Sequence, residues 1–152
     1  MTTAPGRLMG LDVGDRRIGV AVSDPLALFA RPLTTVERAD DAVAIRAIVE
    51  LAGELGVVRL IVGLPLLPSG DRGEQALRTE AFVRQLRDVT DLPIELHDES
   101  YSTQDASARL RAAGHGVDGH RGRVDAAAAA IIIEAWLSEN GPPPLPPLED
   151  DE

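Results

Sequence analysis

The chain has 152 residues, of which 44% are apolar types, 3% aromatic and 26% charged, a length that suits one domain and is too short for a two-lobed kinase or actin-like ATPase. It contains no cysteine, which excludes a disulfide scaffold, a thiolate zinc site and a cysteine nucleophile. A formal charge of −10 argues against casual nucleic-acid binding, although all 15 cations are Arg, the side chain better suited to bidentate phosphate contact.

Leu8 to Gly14 reads as a buried strand ending at a glycine, and Ile18 to Val22 as a second strand after the short turn Gly14 to Arg17. The two make a hairpin. Arg31 to Glu37, β-branched and Pro-flanked, makes a third strand. Asp40 or Asp41 then caps a helix with apolar residues at Ile45, Ile48, Val49, Ala52 and Leu55, ended by Gly56. Val57 to Val62 is the next strand, closed by Gly63-Leu-Pro65. Glu74 to Asp88 carries a helical stripe at Leu77, Ala81 and Leu86, and Leu92 to Leu96 is a short strand running into His97-Asp-Glu99.

Ser102 caps a helix lasting to Gly114, with Asp105 placed like the acidic member of a capping box. The Gly- and Arg-rich segment Gly114 to Arg123 precedes a last helix from Val124 to about Ser138, stopped by Asn140-Gly141. A hairpin feeding helix-separated strands implies an α/β mixed sheet with helices on its faces. Residues 1–139 are expected to form the domain, and 140–152 a Pro-rich, disordered tail closed by the acids Glu149 to Glu152. The N-terminus shows no apolar h-region, and the longest apolar run, Ala126 to Ile133, is far short of the roughly 18 to 20 residues a membrane span needs. A soluble, cytoplasmic protein with no membrane partner is expected.

Three acids sit where elements begin or end: Asp12 inside the first strand, Glu99 after the fifth and Asp125 at the opening of the last helix. A carboxylate in an apolar strand needs a partner. Carboxylates meeting from separate elements form a hard-oxygen site suited to Mg²⁺ or Mn²⁺, ions that can generate a hydroxide nucleophile at a phosphodiester. The plainer alternative has Asp12 accepting turn amides, Glu99 exposed in a loop and Asp125 complementing the helix dipole. Asp12-Val-Gly14 also resembles the phosphate loops of actin-like and sugar-kinase proteins. Asp24-Pro25 reads as a turn starter rather than a metal ligand, and His97 as structural.

Gly63 to Gly70 is either a tight turn or a loop that lets backbone approach substrate, with Ser69 able to contact phosphate. Arg109, Arg111, His115, His120, Arg121 and Arg123 form the cation-dense stretch directly before Asp125. It is either a solvated loop or a phosphate-backbone contact beside the acids.

Four segments together resemble the YqgF/RuvX family of pre-16S rRNA nucleases and Holliday-junction resolvase-like proteins. They are Gly10 to Asp24, Gly63-Leu-Pro65 with Gly70, His97 to Thr103, and Val124 to Glu134, in family order along nearly the whole chain. The resemblance implies an RNase H-like fold: a five-stranded mixed sheet, antiparallel at its N-terminal strands, flanked by helices. It implies catalytic and metal-binding roles for Asp12, Glu99 and Asp125, with Mg²⁺ or Mn²⁺ as cofactor. Arg121 and Arg123 would hold the substrate backbone, with Ser69 and Gly63 on the substrate's path. The implied activity is trimming the 5′ flank of pre-16S rRNA in ribosome biogenesis, with a ribosomal precursor particle as partner. The other activity the family suggests is resolution of four-way DNA junctions. There are two departures from the family pattern: Ser100 stands where Arg is usual, and Arg121 and Arg123 occupy the neighbourhood shortly before the last Asp where the family tends to have Lys. A non-catalytic nucleic-acid-binding module on the same fold is the competing reading, and an ATP-handling fragment is disfavoured by length. The oligomeric state is open.

Overall fold

Leu8, Met9, Leu11 and Val13 leave the first strand no solvent face, and the computed structural model, which describes residues 6–99 and 120–140, puts that strand at the centre of the sheet. β1 (Arg7–Val13) pairs antiparallel with β2 (Arg17–Ser23), and β2 pairs antiparallel with β3 (Ala30–Glu37). On its other side β1 runs parallel to β4 (Val57–Pro65), and β4 parallel to β5 (Ile94–Glu99), giving the order β3-β2-β1-β4-β5. Parallel neighbours require crossovers. The helices α1 (Asp41–Leu55) and α2 (Glu74–Val89) supply them, and α3 (His120–Asn140) follows in the last described stretch. The five-stranded mixed sheet expected from the sequence is present.

α1 begins where the Asp40 carboxylate accepts from the amides of Ala42 (2.8 Å) and Val43 (3.2 Å), and it ends at Gly56 in the left-handed conformation (φ 69°) that glycine adopts without strain. α2 is rotated from the expected stripe: Leu77 is exposed, and Ala76, Thr79, Phe82, Val83 and Leu86 are buried. The aromatic and its i+4 partner decide the face. β4 runs on through Gly63-Leu-Pro65, because β5 offers those residues parallel partners at His97, Asp98 and Glu99. Glu99 is therefore the last residue of β5 rather than a residue beyond it.

α3 starts at His120, earlier than the Val124 expected, so the end of the Gly- and Arg-rich segment is helical and Asp125 lies one turn inside the helix instead of opening it. The expected helix from Ser102 to Gly114, the cations Arg109, Arg111 and His115, and the tail from 141 onward lie outside the described residues. No described helix is long and apolar enough to cross a membrane.

The two sheet faces are filled differently. Met9, Leu11, Val13, Leu60 and Val62 pack with Ile45 and Ile48 of α1 and with Phe82, Val83 and Leu86 of α2. On the opposite face Leu8, Ala21 and Ile61 pack with Ala129, Ile132, Ile133 and Trp136 of α3. Two glycines bring α3 close. A Cβ on Gly10 would lie 2.6 Å from the carbonyl oxygen of Ala129, and one on Gly19 only 1.9 Å from that of Asp125. At the outer edge, the β2–β3 register shifts between Val20 and Ala21, and Pro32 pairs with Ala21.

Candidate active site at one sheet edge

The C-terminal ends of β1, β4 and β5, the start of β2 and the first turns of α3 meet at one edge. Asp12 is the rung opposite Gly19. Directly paired residues project from the same face. Gly19 underlies the Asp125 carbonyl, so Asp12 leaves the sheet on the α3 side, beside the helical turn that carries Asp125. The glycine seat fixes how far Asp125 stands above the strand, because a side chain there would meet helix backbone, which cannot rotate away. Asp12 is half-buried.

Asp125 is met by a cation. Its Oδ2 lies 3.2 Å from Nε of Arg17, with both side chains 26% exposed. Arg17 is the first residue of β2 and closes the hairpin, its carbonyl accepting from the Gly14 amide at 3.0 Å. The turn is braced from the opposite face by Arg38. Its backbone amide donates to the Arg16 carbonyl, and its guanidinium donates to the Gly14 carbonyl and to Asp41, each at 2.9 Å, while stacking 4.9 Å from the Phe82 ring centre. The hydrogen bond from Arg38 holds the Asp41 carboxyl below its ordinary range, against the opposing effect of burial. Asp15, in the same turn, pairs with Arg78 of α2 at 3.3 Å.

Gly63 is buried, pairs with His97 and lies one residue past the Leu11–Val62 pair, so its strand position adjoins that of Asp12. Glu99 ends β5 opposite Pro65, which brings its backbone to the same edge. Arg121 and Arg123 belong to the first turns of α3, the segment leading directly to Asp125. Ser69 is exposed in the loop after β4. Its hydroxyl donates to the Asp71 carboxylate at 3.1 Å and accepts from the Asp71 amide at 3.3 Å, so it serves its own turn, where Gly70 takes φ 90°. Among the described residues no group of three or more His, Asp or Glu side chains is assembled to hold a metal ion. The two described carboxylates on this edge are hard oxygen donors from different elements, and one already draws a guanidinium. That chemistry fits a hard divalent cation.

His97 is buried on the α3 face, with Nε2 3.1 Å from Glu139. One residue pair back along β5, Glu95 accepts from Trp136 Nε1 at 3.0 Å and pairs with Arg59, so α3 is latched to β5 by polar contacts. This supports the structural role expected for His97. Asp24 lies at the far end of the sheet, where the neighbouring Ser23 hydroxyl accepts from the Leu8 amide. Burial opposes ionisation of Asp24, but the amides of Phe29, Leu28 and Leu26 outweigh it and lower its pKa. It organises a turn. Arg17 and the glycine seat escaped the sequence reading. Glycines interrupting apolar strands at positions 10 and 19 were the available signal of close backbone approach.

Comparison with known proteins places this geometry. The model of the RuvX family, described as a Holliday junction resolvase, matches residues 6–139. A protein of Roseiflexus sp. (strain RS-1) named "Putative pre-16S rRNA nuclease" is 42% identical over 137 residues, covering 90% of this chain and 97% of its own length. One of the same name from Anaeromyxobacter dehalogenans (strain 2CP-C) is 42% identical over 136 residues, covering 90% and 99%. Among solved structures, T. thermophilus RuvC in complex with a Holliday junction substrate superposes with a TM-score of 0.53 at 14% identity, covering 93% of this chain and 99% of that one. The fowlpox virus Holliday junction resolvase gives 0.52 at 10% identity, covering 88% and 98%. At such identities these two likenesses concern the fold, which is RNase H-like.

Proposed function

The chain belongs to the RuvX family, and on that premise we propose that it is a divalent-metal-dependent nuclease that trims the 5′ flank of pre-16S rRNA. Its class of chemistry is hydrolysis of nucleic-acid phosphodiester bonds. The observation that carries the metal-dependent reading is the backbone of Asp125 seated over Gly19, the rung opposite Asp12, which brings Asp12 of β1 and Asp125 of α3 to one face of the sheet.

Asp12 and Asp125 would hold Mg²⁺ or Mn²⁺, and Glu99, at the end of β5, would complete the set. The bound cation supplies Lewis acidity at the scissile phosphate and a nucleophilic water at neutral pH. Water adds to phosphorus, the P–O ester bond breaks, and the leaving oxygen takes a proton. No side chain of the protein becomes covalently attached. Arg121 and Arg123 hold the phosphodiester backbone next to the acids. Gly63, at the strand position beside Asp12, and Ser69, in the loop after β4, lie on the substrate's path. A precursor ribosomal particle is the natural carrier of such a substrate.

The test compares wild type with Asp12→Asn on two substrates, each with Mg²⁺ or Mn²⁺: a 5′-extended pre-16S RNA fragment and a labelled four-way DNA junction. Metal-dependent cutting of the RNA by wild type alone is expected. Paired nicks in the junction with intact RNA would replace the rRNA reading by junction resolution. Equal cutting by Asp12→Asn would overturn the site.

A further inference from the structure

Arg17 is the residue at this edge that the acidic site does not explain. Its guanidinium faces Asp125 rather than Glu37, its exposed neighbour on β3 and cross-strand partner. The other charged residues of the hairpin turn are arranged away from it: Asp15 pairs with Arg78, and Arg16 is exposed. Arg17 thus leaves the sheet edge to place a permanent positive charge against a carboxylate that, on the metal-dependent reading above, is a metal ligand. Carboxylates gathered on one face repel each other without a cation, and a guanidinium provides one at any pH at which the protein is folded. Among the described residues the contact also ties the β1–β2 hairpin to α3 beside the glycine seat.

We propose that Arg17 is a positioning residue with an exchangeable partner. Before metal binding it neutralises Asp125 and holds the carboxylate toward Asp12, and on metal binding it is displaced from Asp125 and turns to the phosphodiester backbone. The inference rests on the metal reading of Asp12 and Asp125. The exchange needs no rearrangement of backbone: Arg17 stands at the strand's first residue on a long side chain, and its 26% exposure gives it an open side toward solvent. Because one guanidinium serves two anions in turn, metal and nucleic acid each favour the other's binding. Such coupling is reciprocal.

The experiment titrates Mn²⁺ alone into full-length wild type, Arg17→Gln, Arg17→Lys and Asp12→Asn by calorimetry, with thermal unfolding run on each. Kinetics on the substrate that wild type cuts follow. In the absence of nucleic acid, Arg17→Gln is expected to bind Mn²⁺ about two- to fivefold tighter than wild type, the range that a partly exposed ion pair is worth. Its KM should rise several-fold with kcat little changed. Arg17→Lys should restore much of KM, because it keeps the charge. A purely structural Arg17 would do the opposite on the first readout, since a misplaced Asp125 binds Mn²⁺ more weakly. Unchanged or weaker Mn²⁺ affinity in a folded Arg17→Gln, with wild type binding in an Asp12-dependent way, would overturn the exchange alone. Absence of Asp12-dependent Mn²⁺ binding in wild type would overturn the metal reading and the exchange with it.

Discussion

The two faces of the sheet meet their helices in different ways. Toward α1 and α2 the gap is filled by Met9, Leu11, Val13, Ile45, Ile48, Phe82 and Leu86, large side chains that interdigitate and share small errors among many contacts. Toward α3 the strands withdraw their side chains at Gly10 and Gly19, so helix backbone lies almost on strand backbone. A thick layer gives stability with tolerance; a thin one gives position. The acids Asp12 and Asp125 belong to the thin layer, where the separation of two elements is set by backbone contact rather than by adjustable rotamers.

Damage to the thick layer should lower stability and spare chemistry. Phe82→Ala, which empties the space of a fully buried ring and strips Arg38 of its stacking partner, is expected to cost about 3–5 kcal/mol in urea unfolding. Its cleavage rate well below the melting temperature should stay near wild type. An activity loss matching that of Asp12→Asn would break the separation of roles.

Gly19→Ala works the other way. The added methyl meets the Asp125 carbonyl, so α3 must lift, at about 1–3 kcal/mol. Cleavage should fall by more than an order of magnitude in protein that circular dichroism shows to be folded. Undiminished cleavage would mean that the height of Asp125 above β1 is not critical. Asp40→Ala removes the cap of α1 and should cost about 1 kcal/mol without touching activity, read from the urea midpoint.

The smallest effect is one of acidity. Asp41 is held below its ordinary value of 3.8 by Arg38, so it binds a proton less readily folded than unfolded. The stabilisation is therefore complete above about pH 3.8 and is lost as pH falls through the depressed value. Asp41→Asn should lower stability at pH 7 and flatten its decline below pH 4. Parallel curves for the two proteins would show that the Arg38 brace contributes nothing through Asp41.

The strands could be read from apolar runs because Leu8 to Val13, Arg17 to Ser23 and Val57 to Val62 are buried enough to need no alternation. The bounds of α1 were legible because Asp40 and Gly56 act locally. What escaped depended on partners distant in sequence. Gly63-Leu-Pro65 looks like a strand exit until β5 lies beside it, and the face of α2 follows Phe82 rather than Leu77 because the sheet selects the bulkier row. The identity of Asp12 and Asp125 as candidates was legible from an acid in an apolar strand and another before a long apolar helix. Their relation was not: it depends on Gly19, whose meaning appears only when α3 is laid across it. Arg17 looked like a turn residue because its side-chain partner, Asp125, lies far along the chain.

The outermost strand bears on how this protein behaves at high concentration. Among the described residues β3 is an edge strand, the kind of surface that recruits strands from other molecules into aggregates. Pro32 offers no amide to such a recruit, and the register shift opposite Val20 and Ala21 bends the ribbon away from the flat geometry that stacking requires. Arg31 and Glu37, exposed toward its two ends, add charges of opposite sign that a second, misaligned strand would have to accommodate. These features keep the sheet from growing sideways at that edge.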